Sequence, residues 1–252
     1  MRTSFVITLL LSSLLGASIA HAELPQGYKV VLQTENFPPF NMAEGGKNFA
    51  KEENIHGISA TTIREMFKRA GIAYSMTLRF PWARIYQSTL DLPDHGLFST
   101  SMTDERRPLF KWVGPIAQYE SVLLSAPGSN IKLTSLDQAR DYTIGAYKSS
   151  AVSQRIEAHG LNPINALRDQ ENLQKLLNGN IDLWATSDPV WRHYAKQKNV
   201  GGLNTVLVFN SAPLYLALHK DIPDEVVTRL QKALDEMKTE GYGSCVKHAE
   251  LC

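Results

Sequence analysis

The residues with the most chemistry to offer stand together in one stretch, Ser99-Thr100-Ser101-Met102-Thr103-Asp104-Glu105-Arg106-Arg107. Hydroxyls recur here at alternating positions, as on one face of a strand. Arg106 follows Ser101 by five residues, where the pattern expects a helix to begin. Small hydroxyls and free backbone N–H groups at a helix start favour an anion. A guanidinium adds planar, two-point recognition of a carboxylate. The plainer reading is a polar loop with a surface arginine, and residue types alone leave both open.

Other chemistry is thinner. The histidines His56, His95, His159, His193, His219 and His248 are scattered without an i,i+4 pair, so no zinc site or other metal is expected. There is no Gly-rich phosphate loop and no Gly-x-Ser-x-Gly elbow, and no cofactor is expected. Phe37, Phe40, Trp82, Tyr86, Trp112 and Trp184 are core candidates on size alone. Of these, Phe37 and Trp82 are expected to wall a cleft and Trp112 to sit in the core. Glu35 reads as a strand-end carboxylate within reach of a polar ligand or simply exposed. Arg84 reads as a rim or salt-bridge residue.

Alternating elements must position these groups. Tyr28 to Thr34 reads as a strand ending at Pro38-Pro39, and Ile63, Met66, Phe67 and Ala70 recur at helical spacing before Gly71. Tyr74 to Phe80 is a second strand, so a parallel sheet with a crossover helix is expected. The pattern returns with a strand over Tyr142 to Tyr147, a helix capped by Ser149-Ser150, and a helix over Leu173, Leu176 and Leu177 before Gly179. Strands over Ile181 to Ala185 and Val206 to Phe209 follow, then a helix after Pro223. Ala126-Pro127-Gly128-Ser129-Asn130 and Ser211-Ala212-Pro213 have the chemistry of linkers between two α/β units.

Composition sets the class. The 252 residues carry 26 Lys+Arg against 25 Asp+Glu, with 43% hydrophobic and 20% charged residues, ordinary proportions for a globular protein. That balance gives no basic footprint for nucleic acid. Arg2, the apolar Phe5 to Leu15 and Ala20-His21-Ala22 form an export signal, so residues 1–22 are expected to be cleaved and the protein to be periplasmic. In that oxidising compartment Cys245 and Cys252 are expected to form a disulfide closing a short C-terminal loop.

Ser101-Met102-Thr103-Asp104-Glu105-Arg106, an instance of Ser-x-Thr-x-x-Arg followed by a Phe110-to-Pro115 segment, resembles the signature of family 3 bacterial extracytoplasmic solute-binding proteins, the amino-acid receptors of ABC importers. Phe37-Pro38-Pro39-Phe40, Pro81-Trp82-Ala83-Arg84, Gly179-Asn180-Ile181-Asp182 and the Lys220-to-Gly241 ending extend the resemblance along the chain. It implies an α/β, two-lobed periplasmic-binding-protein fold (type II-like), each lobe a mainly parallel sheet flanked by helices, the lobes joined by two hinge strands. Lobe 1 would comprise residues 23–119 and 211–252, and lobe 2 residues 120–210. It further implies that Arg106 pairs with a ligand carboxylate, assisted by Ser99 and Ser101, that Phe37 and Trp82 pack on the ligand, and that Ser150 touches the carboxylate. Asp188 would hold the ammonium. It lies six residues beyond Asp182 where five is usual, so Ser187 takes the expected position.

The function expected is capture of an amino acid or small carboxylate by a monomer that delivers it to an ABC permease in the inner membrane, without catalysis. The alternatives are a periplasmic enzyme on the same fold, such as a dehydratase of an aromatic amino-acid precursor using Glu35, Asp188 or Glu120, and a ligand sensor.

Overall fold

The computed structural model describes residues 24–242. The expected export signal and the Cys245–Cys252 pair lie outside the described residues.

The strands are β1 (Lys29–Thr34), β2 (Met42–Ala43), β3 (Phe49–Lys51), β4 (Ile55–His56), β5 (Ala73–Arg79), β6 (His95–Ser101), β7 (Lys111–Ser125), β8 (Ile144–Tyr147), β9 (Ile164–Ala166), β10 (Leu183–Asp188) and β11 (Asn204–Leu218). The α-helices are α1 (Ile58–Ala70), α2 (Trp82–Asp91), α3 (Ala151–Ala158), α4 (Glu171–Leu177), α5 (Val190–Gln197) and α6 (Asp224–Thr239). Nine strands form one continuous ladder in the order β3-β5-β1-β6-β11-β7-β10-β8-β9.

The ladder has two parallel cores. β1 runs parallel to β5 and β6, while β8 runs parallel to β9 and β10. Between them the 15-residue strands β7 and β11 pair antiparallel with each other and connect the two lobes. The fold is the two-lobed α/β arrangement that the resemblance implies.

Local sequence explains most of these elements. In α1, Ile63, Met66 and Phe67 are fully buried at helical spacing, each such side chain gaining roughly 1.5–3 kcal/mol from burial. Gly71 then ends the helix in the left-handed conformation, its N–H donating to the carbonyls of Lys68 and Phe67. Helix α6 buries Val226, Leu230, Ala233, Leu234 and Met237, with Asp224 and Glu225 in its first turn. Gly57 precedes α1 at φ +121°, where a Cβ would stand 2.5 Å from the carbonyl oxygen of Phe40. That close approach clamps the Phe37-Pro38-Pro39-Phe40 turn against the start of α1, with Ser59 N donating to the same carbonyl at 2.8 Å.

Several expectations need correction. The strand expected over Val206 to Phe209 runs on to Leu218 and absorbs the Ser211-Ala212-Pro213 linker. Pro213 is tolerated because the β7–β11 ladder is irregular, with register shifts on both sides of it. Ala126 to Asn130 is a turn that follows β7, with Ser129 N donating to Ala126 O. It does not link the lobes. No α-helix starts at Arg106; Arg107–Leu109 is a single 3₁₀ turn ahead of β7, so no helix N-terminus supplies an anion site there. Trp112, expected in the core, is half-buried, its Nε1 donating to Arg107 O at 3.0 Å. No helix among the described residues is long and apolar enough to cross a membrane.

Candidate functional site

A cleft lies where the ends of β1, β6, β8 and β10 approach one another, and both parts of the chain line it. Its first cavity is walled by Thr34, Glu35, Phe37, Trp82, Ser99, Ser101, Arg106 and Tyr119 on one side and by Tyr147, Ser150, Ala151, Val152 and Ser187 on the other. A second cavity continues past Glu35, Phe37 and Tyr147 to Asn36, Asn48, Arg168, Asp169, Gln170 and Tyr194.

Arg106 is the centre of the first cavity. It is only 3% exposed, and its guanidinium lies 5.6 Å from the Trp82 ring and 5.3 Å from the Tyr86 ring. Its Nη2 donates to Gln154 Oε1 at 2.8 Å and to Ser149 O at 3.3 Å. Its Nε has no hydrogen-bond partner among the described residues. Among the described residues no carboxylate forms an ion pair with it, and burial lowers its pKa because the charge has left water. A buried guanidinium satisfied only by neutral acceptors is poised to take a carboxylate.

The hydroxyls are held around it. Ser99, at φ +59°, hydrogen-bonds the Asn41 side chain, and Asn41 Nδ2 in turn donates to Thr34 Oγ1 at 2.7 Å. A positive φ is strained for serine and persists here because this buried polar set fixes it. Ser101 Oγ meets Tyr119 Oη at 2.8 Å. Ser150 caps α3, its Oγ accepting from Ser153 N at 3.1 Å. Phe37 stacks on Phe40 at 5.4 Å, edge-on to Tyr119 at 6.1 Å.

Thus Arg106, Ser99, Ser101, Phe37, Trp82 and Ser150 all line one cavity. Asp188 does not. Its carboxylate is taken by Arg192 at 2.7 Å and by Trp191 Nε1 at 2.9 Å, one turn along α5, and it lines neither cavity. Ser187, whose place in the strand points the opposite way, lines both. Arg84 is exposed and lines neither.

Sequence reasoning missed Tyr147, Gln154 and Asp169. Tyr147 Oη donates to Glu35 Oε2 at 2.6 Å and accepts from Trp82 N at 3.1 Å, bridging the two sides of the cleft. Glu35, 8% exposed, has its carboxyl pushed up to about 8, chiefly by burial and further by Asp169, against the lowering effect of Tyr147. Asp169 accepts from Trp184 Nε1 at 2.8 Å and from Thr186 Oγ1, and burial raises it to about 6. No spacing rule joins residues 35, 147 and 169; only the folded ladder does. Among the described residues no cluster of His, Cys, Asp and Glu could hold a metal ion.

The fold is that of two-lobed periplasmic binding proteins. Compared by sequence, no family model and no curated protein matches the chain. Solved structures do match over most of its length. An ancestral arginine-binding protein bound to glutamine is 22% identical with a TM-score of 0.72, covering 88% of this chain and 96% of its own. The arginine-, lysine-, histidine-binding protein ArtJ from Geobacillus stearothermophilus is 22% identical with a TM-score of 0.71, covering 86% and 93%. A histidine kinase sensor domain with similarity to periplasmic binding proteins is 13% identical with a TM-score of 0.76, covering 87% and 94%.

Proposed function

We propose that this chain is a periplasmic solute-binding protein that encloses an amino acid or related small carboxylate between its lobes and presents it to an ABC permease. The observation that carries this reading is Arg106: a guanidinium buried in the interlobe cleft, flanked by two aromatic rings, with its Nε unpartnered and no carboxylate of its own among the described residues. Amino-acid-binding proteins among the solved structures of this fold support it. A lobe boundary near 119/120 and 210/211 fits the register, because Ser211 faces Glu120 in the middle of the two connecting strands. Closure would be driven by contacts that only the closed cleft offers the ligand.

Glu35 gives the enzyme reading its one supporting observation, a cleft carboxyl raised to about 8 beside Tyr147. One experiment separates the two. The protein, expressed from the full chain and purified as the cell processes it, is screened against amino acids and small carboxylates by thermal shift, and each hit is incubated while product is sought. Stabilisation without turnover supports the receptor; consumption of the ligand supports the enzyme; no stabilisation by any compound overturns both.

A further inference from the structure

Arg106 reaches its acceptors across the cleft. It stands between β6 and β7, whereas Gln154 lies in α3 and Ser149 in the turn before it. Both bond the same nitrogen: Nη2 donates to Gln154 Oε1 at 2.8 Å and to Ser149 O at 3.3 Å, which engages both of its N–H groups. The Nε–H is buried with no partner among the described residues. A carboxylate held at two points takes either the Nε–Nη2 edge of a guanidinium or the Nη1–Nη2 edge, and each edge needs an Nη2 proton. Neither Gln154 nor Ser149 lines the cavities, so they compete with a ligand for the donor and not for space. One of them must let go before Arg106 can turn a two-point face to a carboxylate.

The two acceptors differ in how readily they yield. Ser149 offers a backbone carbonyl, and the residue stands at φ +63° in the turn that places the Ser150 cap on α3. Moving that carbonyl would disturb the cap. Gln154 offers the tip of a long, exposed side chain, which can swing into water and regain rotamer freedom. We propose that Gln154 is an affinity-setting residue, its amide oxygen standing in for the ligand's carboxylate on Arg106 until the ligand displaces it. The proposal rests on the receptor reading and adds to it a residue that acts by competition and makes no ligand contact.

The competition has a kinetic signature. Tyr147 links Glu35 to Trp82 N, and Arg168 lies 5.3 Å from the Phe80 ring. These contacts across the cleft use no donor of Arg106, so a bound ligand can leave them in place. The Gln154 contact belongs only to the cleft closed on itself, and it is lost both on opening and on binding. Such a contact lowers the fraction of molecules competent to admit ligand, which slows association and leaves dissociation unchanged. A residue that bonded the ligand would act on dissociation instead.

The test uses the parent, Gln154→Ala and Gln154→Glu, the position being exposed and outside the core. Without ligand, Gln154→Ala should show a larger radius of gyration than the parent in solution scattering. L-glutamine, L-arginine, L-glutamate and L-alanine then serve as probes in stopped-flow tryptophan fluorescence. Gln154→Ala should associate at least about threefold faster than the parent, the factor expected if about two-thirds of the parent is closed on itself, with dissociation changed by less than about twofold. Gln154→Glu sets a carboxylate against the guanidinium, a stronger competitor, and should slow association at least about tenfold. If Gln154→Ala keeps the parent's radius, associates no faster or dissociates faster, or if Gln154→Glu associates as fast as the parent, the inference is overturned while the receptor reading stands. If none of the four probes binds the parent, the scattering comparison decides the inference and the wider thermal-shift screen decides the receptor reading.

Discussion

Replacing Arg106 by alanine tests the site most directly. The side chain lies between two rings and donates to two neutral acceptors across the cleft, at 2.8 and 3.3 Å. In a bound complex those donors would turn to a carboxylate, each charge-assisted bond contributing about 1.5–3 kcal/mol. Losing two such bonds weakens binding by at least about 100-fold, since about 1.4 kcal/mol is tenfold. With ligand at about 100 times Kd, the parent gains about 2.7 kcal/mol of stability. At about 2–4 °C per kcal/mol for a chain of this size, that is a melting shift of about 5–11 °C. At the same ligand concentration the variant should gain less than about 0.4 kcal/mol, or under about 2 °C. The unliganded variant should melt within a few degrees of the parent, because the lost hydrogen bonds are offset by removing a buried, half-satisfied charge. Differential scanning fluorimetry with and without ligand reads both quantities. A variant that keeps half the parent's shift, or whose unliganded form melts more than about 10 °C lower, would refute the assignment and make Arg106 a structural residue.

Three further outcomes are expected. The unliganded protein should lose stability as pH rises from about 5 to 8, because Glu35 binds its proton more tightly folded (about 8 against an ordinary 4.5) and Asp169 likewise (about 6 against 3.8); a group with a raised folded pKa stabilises below its unfolded value and loses that as pH climbs past it, by at most about 1.4 kcal/mol per pH unit each. Chemical denaturation across this range should show the slope, most of it absent in Glu35→Gln, and a flat or rising profile would contradict the burial argument. Tyr147→Phe removes the Glu35 and Trp82 links together and should shift the unliganded protein to a more open form, read as a larger radius of gyration in solution scattering; an unchanged radius would show that the bridge does not hold the cleft. Gly57→Ala should lower stability by at least about 1–3 kcal/mol, because its Cβ would collide with Phe40 O at 2.5 Å in a positive-φ conformation; a melting point equal to the parent's would show that the turn can yield.

What the sequence made legible was what local rules govern. The apolar period and the glycine stop gave α1 its end at Gly71, serine capping gave the start of α3, and the Ser-x-Thr-x-x-Arg resemblance brought Arg106, Ser99 and Ser101 into one cavity. β7 was not legible: no strand was expected over Lys111 to Ser125, whose mixed polar pattern has no clean alternation, and it is pairing with β11 along its length and with β10 over Glu120 to Leu124 that makes the segment a strand. Asp188 misled because a carboxylate near the expected ammonium position outweighed a simpler sign, Arg192 four residues on, the spacing at which side chains meet on a helix. Asp169 stands in a connection between β9 and α4 with no periodicity of its own, so its place in the cleft is a property of tertiary packing alone.

The ladder also sets an order of assembly. β6 carries Ser99 and Ser101 and has β11 as its neighbour on one side, more than a hundred residues later in the chain. Until that late segment arrives, an apolar strand edge beside the future ligand site stays unfinished and open to wrong partners. The half of the molecule that is made first must therefore wait for the half that is made last, and a chaperone that shields such an edge would be most useful to this chain during that interval.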